Sequence, residues 1–201
     1  MVQVLLLDEP FSNLDVQLRM QLREDLKSIL KKSEVTTIFV THDQQEALFM
    51  GDMVAVQNDG CIAQIATPER IFHAPDSRFV ARFMGIADFL PVYLKDGVIW
   101  SEIGPAACNV PNNLDTSVEV MVRPDDLTFR LLDGGSERII GKEFRGGEYL
   151  YSIQLESGSV VRCFRPHQEE YSVGAHVETR LSPGHSLLLF NNNGEVYPQV
   201  N

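Results

Sequence analysis

Three short polar clusters carry residue types that can do chemistry. An apolar run from Val2 to Leu7 ends in Asp8-Glu9-Pro10, the segment Ser12-Asn13-Leu14-Asp15 follows at once, and a β-branched run from Thr36 to Val40 ends in Thr41-His42-Asp43. Carboxylates supply oxygen ligands for a hard cation, and a carboxylate or an imidazole can take up or release a proton. The pair Asp8-Glu9 taken alone has a plainer reading, because many buried strands end in a carboxylate that caps the following turn. The ordered set of all three clusters makes the chemical reading the stronger one.

The elements that must position these residues can be read from periodicity. An unbroken apolar run of strand length suits a parallel strand buried on both faces. Asp15 can cap a helix in which Leu22, Leu26, Ile29 and Leu30 share one face and Arg23, Lys27, Lys31 and Lys32 lie on others. Thr36 to Thr41 is the next strand. Strand, crossover helix and strand make a βαβ unit, which sets the two polar strand ends side by side at one edge of a parallel sheet. Ligands bind at that edge in open α/β sheets.

Further on, Gln44 to Met50 reads as a helix, and Asn58-Asp59-Gly60 reads as the turn of a hairpin between Met53–Val56 and Cys61–Ile65. Thr67-Pro68-Glu69 has an N-cap hydroxyl, a first-turn proline and a first-turn acid, which starts another helix. Asp76 to Met84 is a last short helix, closed by Gly85. Beyond about Ala87 the helical periodicity ends, and short β-rich pieces recur between turn residues: Val118–Val122, Tyr149–Leu155 and Ser159–Phe164. That pattern predicts a small β-barrel or sandwich. The expected fold is therefore α/β over residues 1–86 followed by an all-β domain over 87–201.

Composition narrows the function classes. The 201 residues are 44% hydrophobic and 22% charged, enough for real cores, and the formal net charge is -11. The acidic excess runs through both parts, with 8 basic against 12 acidic residues up to Ala87 and 9 against 16 after it. Neither part has the basic footprint that phosphate-backbone binding needs, so nucleic acid is not an expected partner. There is no apolar run of about 18 residues and no basic leader at the N-terminus, which reads as a soluble, cytoplasmic chain. Cys61, Cys108 and Cys163 are too scattered for a disulfide framework or a zinc motif.

With these residues in hand, the sequence strongly resembles the nucleotide-binding subunits of ABC transporters. In that family Leu5-Leu6-Leu7-Asp8-Glu9-Pro10 is the Walker B motif, Ser12-Asn13-Leu14-Asp15 the D-loop and Thr41-His42-Asp43 the switch-histidine loop. The resemblance implies a partial P-loop NTPase cassette that uses ATP and Mg²⁺. It implies that Asp8 is the Mg²⁺-side carboxylate, acting through water because Mg²⁺ dehydrates reluctantly. Glu9, one residue on and on the other side of the strand, accepts a proton from the attacking water. His42 reaches the γ-phosphate, and Asp15 lies at the interface with a second ATPase subunit and couples two ATP sites. No G-x-x-x-x-G-K-[ST], LSGGQ-type signature or Q-loop occurs in the 201 residues. The chain alone is therefore expected neither to bind ATP tightly nor to hydrolyse it, since phosphate positioning is a large catalytic term.

The following stretch, with Asp52–Val56, Ala66–Phe72, Phe79-Val80-Ala81 and Phe83-Met84-Gly85, resembles the end of importer ATPases of the sugar, sulfate, polyamine and ferric-ion type. In that class a regulatory domain of OB-like (TOBE) β-barrels follows the cassette. Val122-Arg123-Pro124-Asp125-Asp126, Glu143–Gly147 and a closing strand near Pro183 to Leu189 are similar to that domain. Ala87–Pro91 and Val122–Leu127 look most like the ferric-ion branch, so the resemblance implies iron(III) uptake, with polyamine, sulfate and sugar as alternatives. Implied partners are a second ATPase copy and membrane permease subunits, which puts the chain at the cytoplasmic face of the cell membrane. A different class of reading makes the chain itself a regulatory or dimerisation module. In either case a Walker B strand without its neighbours leaves apolar faces uncovered, which predicts a homodimer or poor solubility.

Other residues have plainer readings. His167, His176 and His185 stand nine apart, a spacing that fits no ligand motif. Arg123 and Arg145 are expected to pair with local carboxylates rather than with a regulatory anion. Phe144 and Tyr149 to Tyr151 are expected in the barrel core or at an interface.

Overall fold

The computed structural model describes residues 4–12, 14–106, 117–182, 184 and 186–196. Asn13, Cys108, Pro183 and His185 lie outside them. The chain divides into two compact units, Met1–Pro75 and Asp76–Asn201. That division falls before the change of sequence character near Ala87. The last helix of the helical region, Arg78–Phe83, belongs with the β-rich unit: Ser77 bridges to Glu195, and the Arg123 side chain donates to the carbonyls of Ala81 and Ile86.

In the first unit β1 (Val4–Asp8) pairs parallel with β2 (Thr36–Val40), with Val4 opposite Thr36 and Asp8 opposite Val40. The 18-residue crossover helix α1 (Val16–Ser33) is capped as its sequence predicts, with Asp15 accepting from the amides of Gln17 and Leu18 at 3.1 and 3.0 Å. Of its expected apolar face, Leu26 and Leu30 are half-buried while Leu22 and Ile29 are exposed. Helix α2 spans Gln44–Met50, and β3 (Val54–Asn58) and β4 (Cys61–Ala66) form the expected hairpin. Its turn residues Asp59 and Gly60 both take positive φ, 47° and 78°, as a primed two-residue turn requires. Thr67 and Pro68 open α3 (Pro68–His73). Phe11, Val54, Val56, Ala66 and Ile71 are buried in this unit. Leu5, Leu7 and Phe39 on one face of the β1–β2 pair are half-buried, whereas Val4, Leu6, Ile38 and Val40 on the other are exposed.

The second unit opens with α4 (Arg78–Phe83), then β5 (Asp88–Pro91), β6 (Tyr93–Lys95), β7 (Val98–Ser101), β8 (Gly104–Pro105) and β9 (Glu119–Val122). A 3-10 turn over Pro124–Asp126 leads to β10 (Leu127–Leu131), β11 (Glu137–Phe144), β12 (Glu148–Gln154), β13 (Val160–Pro166), β14 (His176–Leu181) and β15 (Leu189–Phe190). Strands β6 and β7 turn on a second Asp-Gly pair with positive φ, Asp96-Gly97. The five-stranded sheet runs β10-β14-β11-β12-β13. Its two end strands meet through side chains, with the Cys163 thiol donating to the Leu127 carbonyl at 3.1 Å and Arg165 donating to the Thr128 hydroxyl at 2.9 Å. A sheet whose ends close on each other shields its edges, the solution barrels use. Phe129, Ile139, Tyr151, Ile153, Val161 and Val177 fill the interior.

Several residues with plain readings in the sequence have clear places here. Burial pushes the Cys163 thiol up to about 12, which makes it a packed, unreactive group. Tyr151 is in the core, Tyr149 packs against it, and Phe144 stands exposed beside Tyr149. Arg145 pairs with Glu143 on the surface. The Nδ1 atoms of His167 and His176 lie 3.1 and 2.5 Å from the carbonyls of Gly147 and Gly135. Among the described residues no three of His, Cys, Asp and Glu gather as a metal site.

Glu137 carries a pH-dependent cost. Burial raises its carboxyl above the usual range, the hydroxyl and amide of Thr179 pull it back, and Glu102 and Glu178 raise it further. A carboxyl whose folded value exceeds its unfolded one contributes stability below the unfolded value and loses it as pH rises through the folded value. Glu137→Gln keeps an oxygen for the Thr179 amide, 2.6 Å away, and removes that loss. Melts at about pH 4 and about pH 7.5 should therefore show the variant drawing ahead of the parent only at the higher pH.

Candidate functional site

The parallel register sets the site. Because Asp8 is opposite Val40, the residues after both strand ends emerge together, and the amide of Glu9 donates to the Val40 carbonyl at 2.8 Å. Glu9 itself has φ 44°, in the left-handed region that non-glycine residues seldom occupy. Its carbonyl accepts from the amide and hydroxyl of Ser12 at 3.2 and 3.0 Å, which holds the turn. This turn, rather than strand alternation, directs the Glu9 side chain. Glu9 Oε1 lies 3.1 Å from His42 Nδ1, with 44% and 74% of the two side chains exposed. The carboxylate oxygen accepts in this contact, so Nδ1 carries the proton of the bond.

His42 is flanked by anchored neighbours. The Thr41 hydroxyl donates to Glu46 Oε2 at 2.6 Å and accepts from the Asp43 amide at 3.0 Å. Asp43 caps α2, taking the amides of Gln45 and Glu46 at 2.8 and 3.2 Å. Arg19, from α1, donates to the Leu14 carbonyl at 3.1 Å and stands 3.9 Å from Asp43. A shallow depression is lined by Glu9, Ser12, Arg19, Thr41, His42, Asp43 and Glu46.

The four candidate residues thus have three different placements. Glu9 and His42 are in contact, Asp8 is exposed at the end of β1, and the Asp15 carboxylate is engaged in the α1 cap. Sequence reasoning missed the left-handed turn at Glu9 and the participation of Arg19 and Glu46. One signal was available: Asp43-x-x-Glu46 has the spacing of a capping box.

Glu9, Ser12 and His42 line one depression at the strand ends and offer a carboxylate, a hydroxyl and an imidazole, ligand types that suit Mg²⁺ and phosphate, and Asp8 is exposed at the end of β1 beside them.

The TOBE domain family model matches residues 120–189. A sulfate/thiosulfate import ATP-binding protein (CysA 1) of Rhizobium meliloti (strain 1021) is 43% identical over 139 residues, which is 69% of this chain and 40% of that protein. A spermidine/putrescine import ATP-binding protein (PotA) of Pseudomonas fluorescens is 38% identical over 201 residues, covering 94% of this chain and 52% of its own length. The sulfate/thiosulfate import ATP-binding protein CysA of Xylella fastidiosa is 36% identical over 197 residues, 96% and 55% of the two chains. The chain spans about half the length of the curated relatives it matches.

Proposed function

We infer from homology to ATP-binding subunits of ABC importers that this chain is the C-terminal portion of such a subunit and ends in a regulatory TOBE domain. The complete subunit hydrolyses ATP to drive solute uptake. The observation that carries this reading is the Glu9–His42 contact at the joined ends of two parallel strands. Glu9 takes the proton of the attacking water, and His42, oriented by Glu9 through Nδ1–H, donates from Nε2–H to the terminal phosphate in its doubly protonated form. Asp8 would be the carboxylate that holds Mg²⁺. Asp15, beside the start of α1, faces a second ATPase copy. Bound with ATP, Mg²⁺ supplies counter-charge to the phosphates. The phosphates also need a glycine-rich loop and lysine that the 201 residues do not contain, so turnover belongs to the complete subunit with its membrane permease partners.

This assigns the subunit to the cytoplasmic face of the membrane; among the described residues no helix is long and apolar enough to cross it. For the solute, the named relatives favour sulfate/thiosulfate or spermidine/putrescine, and iron(III) draws no support from them. Deleting the gene and measuring uptake of labelled sulfate, spermidine and iron(III) tests the assignment. Loss of sulfate or spermidine uptake with iron uptake intact is the expected result, and loss of iron uptake alone would restore the ferric-ion reading.

A further inference from the structure

Glu46 is 3% exposed, a carboxylate buried where an apolar residue would be cheaper. Its Oε2 accepts the Thr41 hydroxyl at 2.6 Å, and the same hydroxyl accepts the Asp43 amide at 3.0 Å. In an ordinary capping box the third helical residue reaches the N-cap amide directly. Here a hydroxyl is interposed, and it belongs to the residue just before His42. The residue just after His42, Asp43, is fixed by the first-turn amides of α2. Both neighbours of His42 are therefore tied to one helix, while the imidazole itself is three-quarters exposed with Glu9 as its partner. A side chain so exposed takes its direction from its backbone.

We infer that Thr41 and Glu46 are positioning residues, a buried hydroxyl–carboxylate relay that fixes the backbone of His42 so that the imidazole meets Glu9. The inference deepens the proposed ATPase reading and rests on it. The Thr41 hydroxyl is taken up by Glu46 and the Asp43 amide, so the relay should act on the chemical step and not on ATP binding.

The test uses the complete ATP-binding subunit with Glu9→Gln as reference. Thr41→Val removes the hydroxyl at nearly constant volume and should lower kcat roughly tenfold or more, as misplacement of a catalytic group does, with KM for ATP unchanged. Thr41→Ser, which keeps the hydroxyl, should restore kcat. Glu46→Met removes the acceptor and should match Thr41→Val, and the double variant should be no slower than either single one, because the two act as one unit. If Thr41→Val melts below the assay temperature, Glu46→Met decides. If Glu9→Gln stops turnover while Thr41→Val and Glu46→Met leave kcat at the parent value, the relay is overturned and the ATPase reading stands. If Glu9→Gln leaves turnover intact, that reading falls and the relay falls with it.

Discussion

Glu9→Gln in the complete subunit is expected to cut Mg-ATP turnover sharply while leaving ATP binding in place. The amide oxygen of glutamine can accept the His42 Nδ1–H bond that the carboxylate accepts at 3.1 Å, and the backbone bonds from Glu9 to Val40 and from Ser12 to Glu9 do not involve the side chain. The substitution therefore removes proton-accepting ability and little else. General-base catalysis contributes about 10² to 10⁴-fold, so phosphate release should fall by at least about a hundredfold. KM for ATP should change little, because the lost interaction belongs to the transition state. Phosphate release under saturating ATP measures the first quantity, and equilibrium binding of a fluorescent ATP analogue the second. A variant that keeps more than about a tenth of parental turnover would remove Glu9 from the role of base.

Much of this was legible because local chemistry and tertiary structure agree. Asp15 caps α1, Asp59-Gly60 turns the β3–β4 hairpin, and Thr67-Pro68 starts α3, each where turn and cap rules put it. The two strand ends carrying Glu9 and His42 were legible from the handedness of a βαβ unit. The geometry between them was not. A left-handed Glu9 is set by a bond across to Val40 and by Ser12, and no propensity announces it. Glu46 reads in sequence as a first-turn acid of a short helix, and only tertiary burial turns it toward Thr41. The boundary near Ala87 marks where helical periodicity ends. Compactness instead assigns α4 to the β unit, through buried Arg123, a link between residues some 40 apart that no local window contains.

Arg123 and Arg145 look alike in sequence, each an arginine beside acidic residues, yet their expected effects on stability differ by several kcal/mol. Arg123 is 1% exposed. Its guanidinium donates to the carbonyls of Ile86 and Ala81 at 3.0 and 3.4 Å, and its own amide donates to Asp126, also buried, at 2.8 Å. Burial lowers its pKa, and the charges of Asp125 and Asp126 pull it back up, so the cation sits in a low-dielectric setting held by nearby carboxylates. Arg123→Met keeps most of the volume, but it takes the donor from two carbonyls and removes the cation near Asp125 and Asp126. Losing a hydrogen bond from a charged donor costs about 1.5–3 kcal/mol for each bond, against at most about 1 kcal/mol for an exposed pair such as Arg145–Glu143. Trp100, the single tryptophan of the chain, lies in the second unit, so its fluorescence reports that unit's melting without dissection. Arg123→Met should lower the Trp100 midpoint by about 10 °C or more, and Arg145→Met should leave it within about 3 °C. Replacing Asp126 by Leu in the Arg123→Met background removes a buried carboxylate whose charge the Arg123 cation no longer offsets and should recover part of the loss, because burying an ion costs free energy. A double variant less stable than Arg123→Met would mean that Asp126 contributes chiefly by accepting the backbone amide of residue 123, and that the cation serves the carbonyls of Ala81 and Ile86 alone.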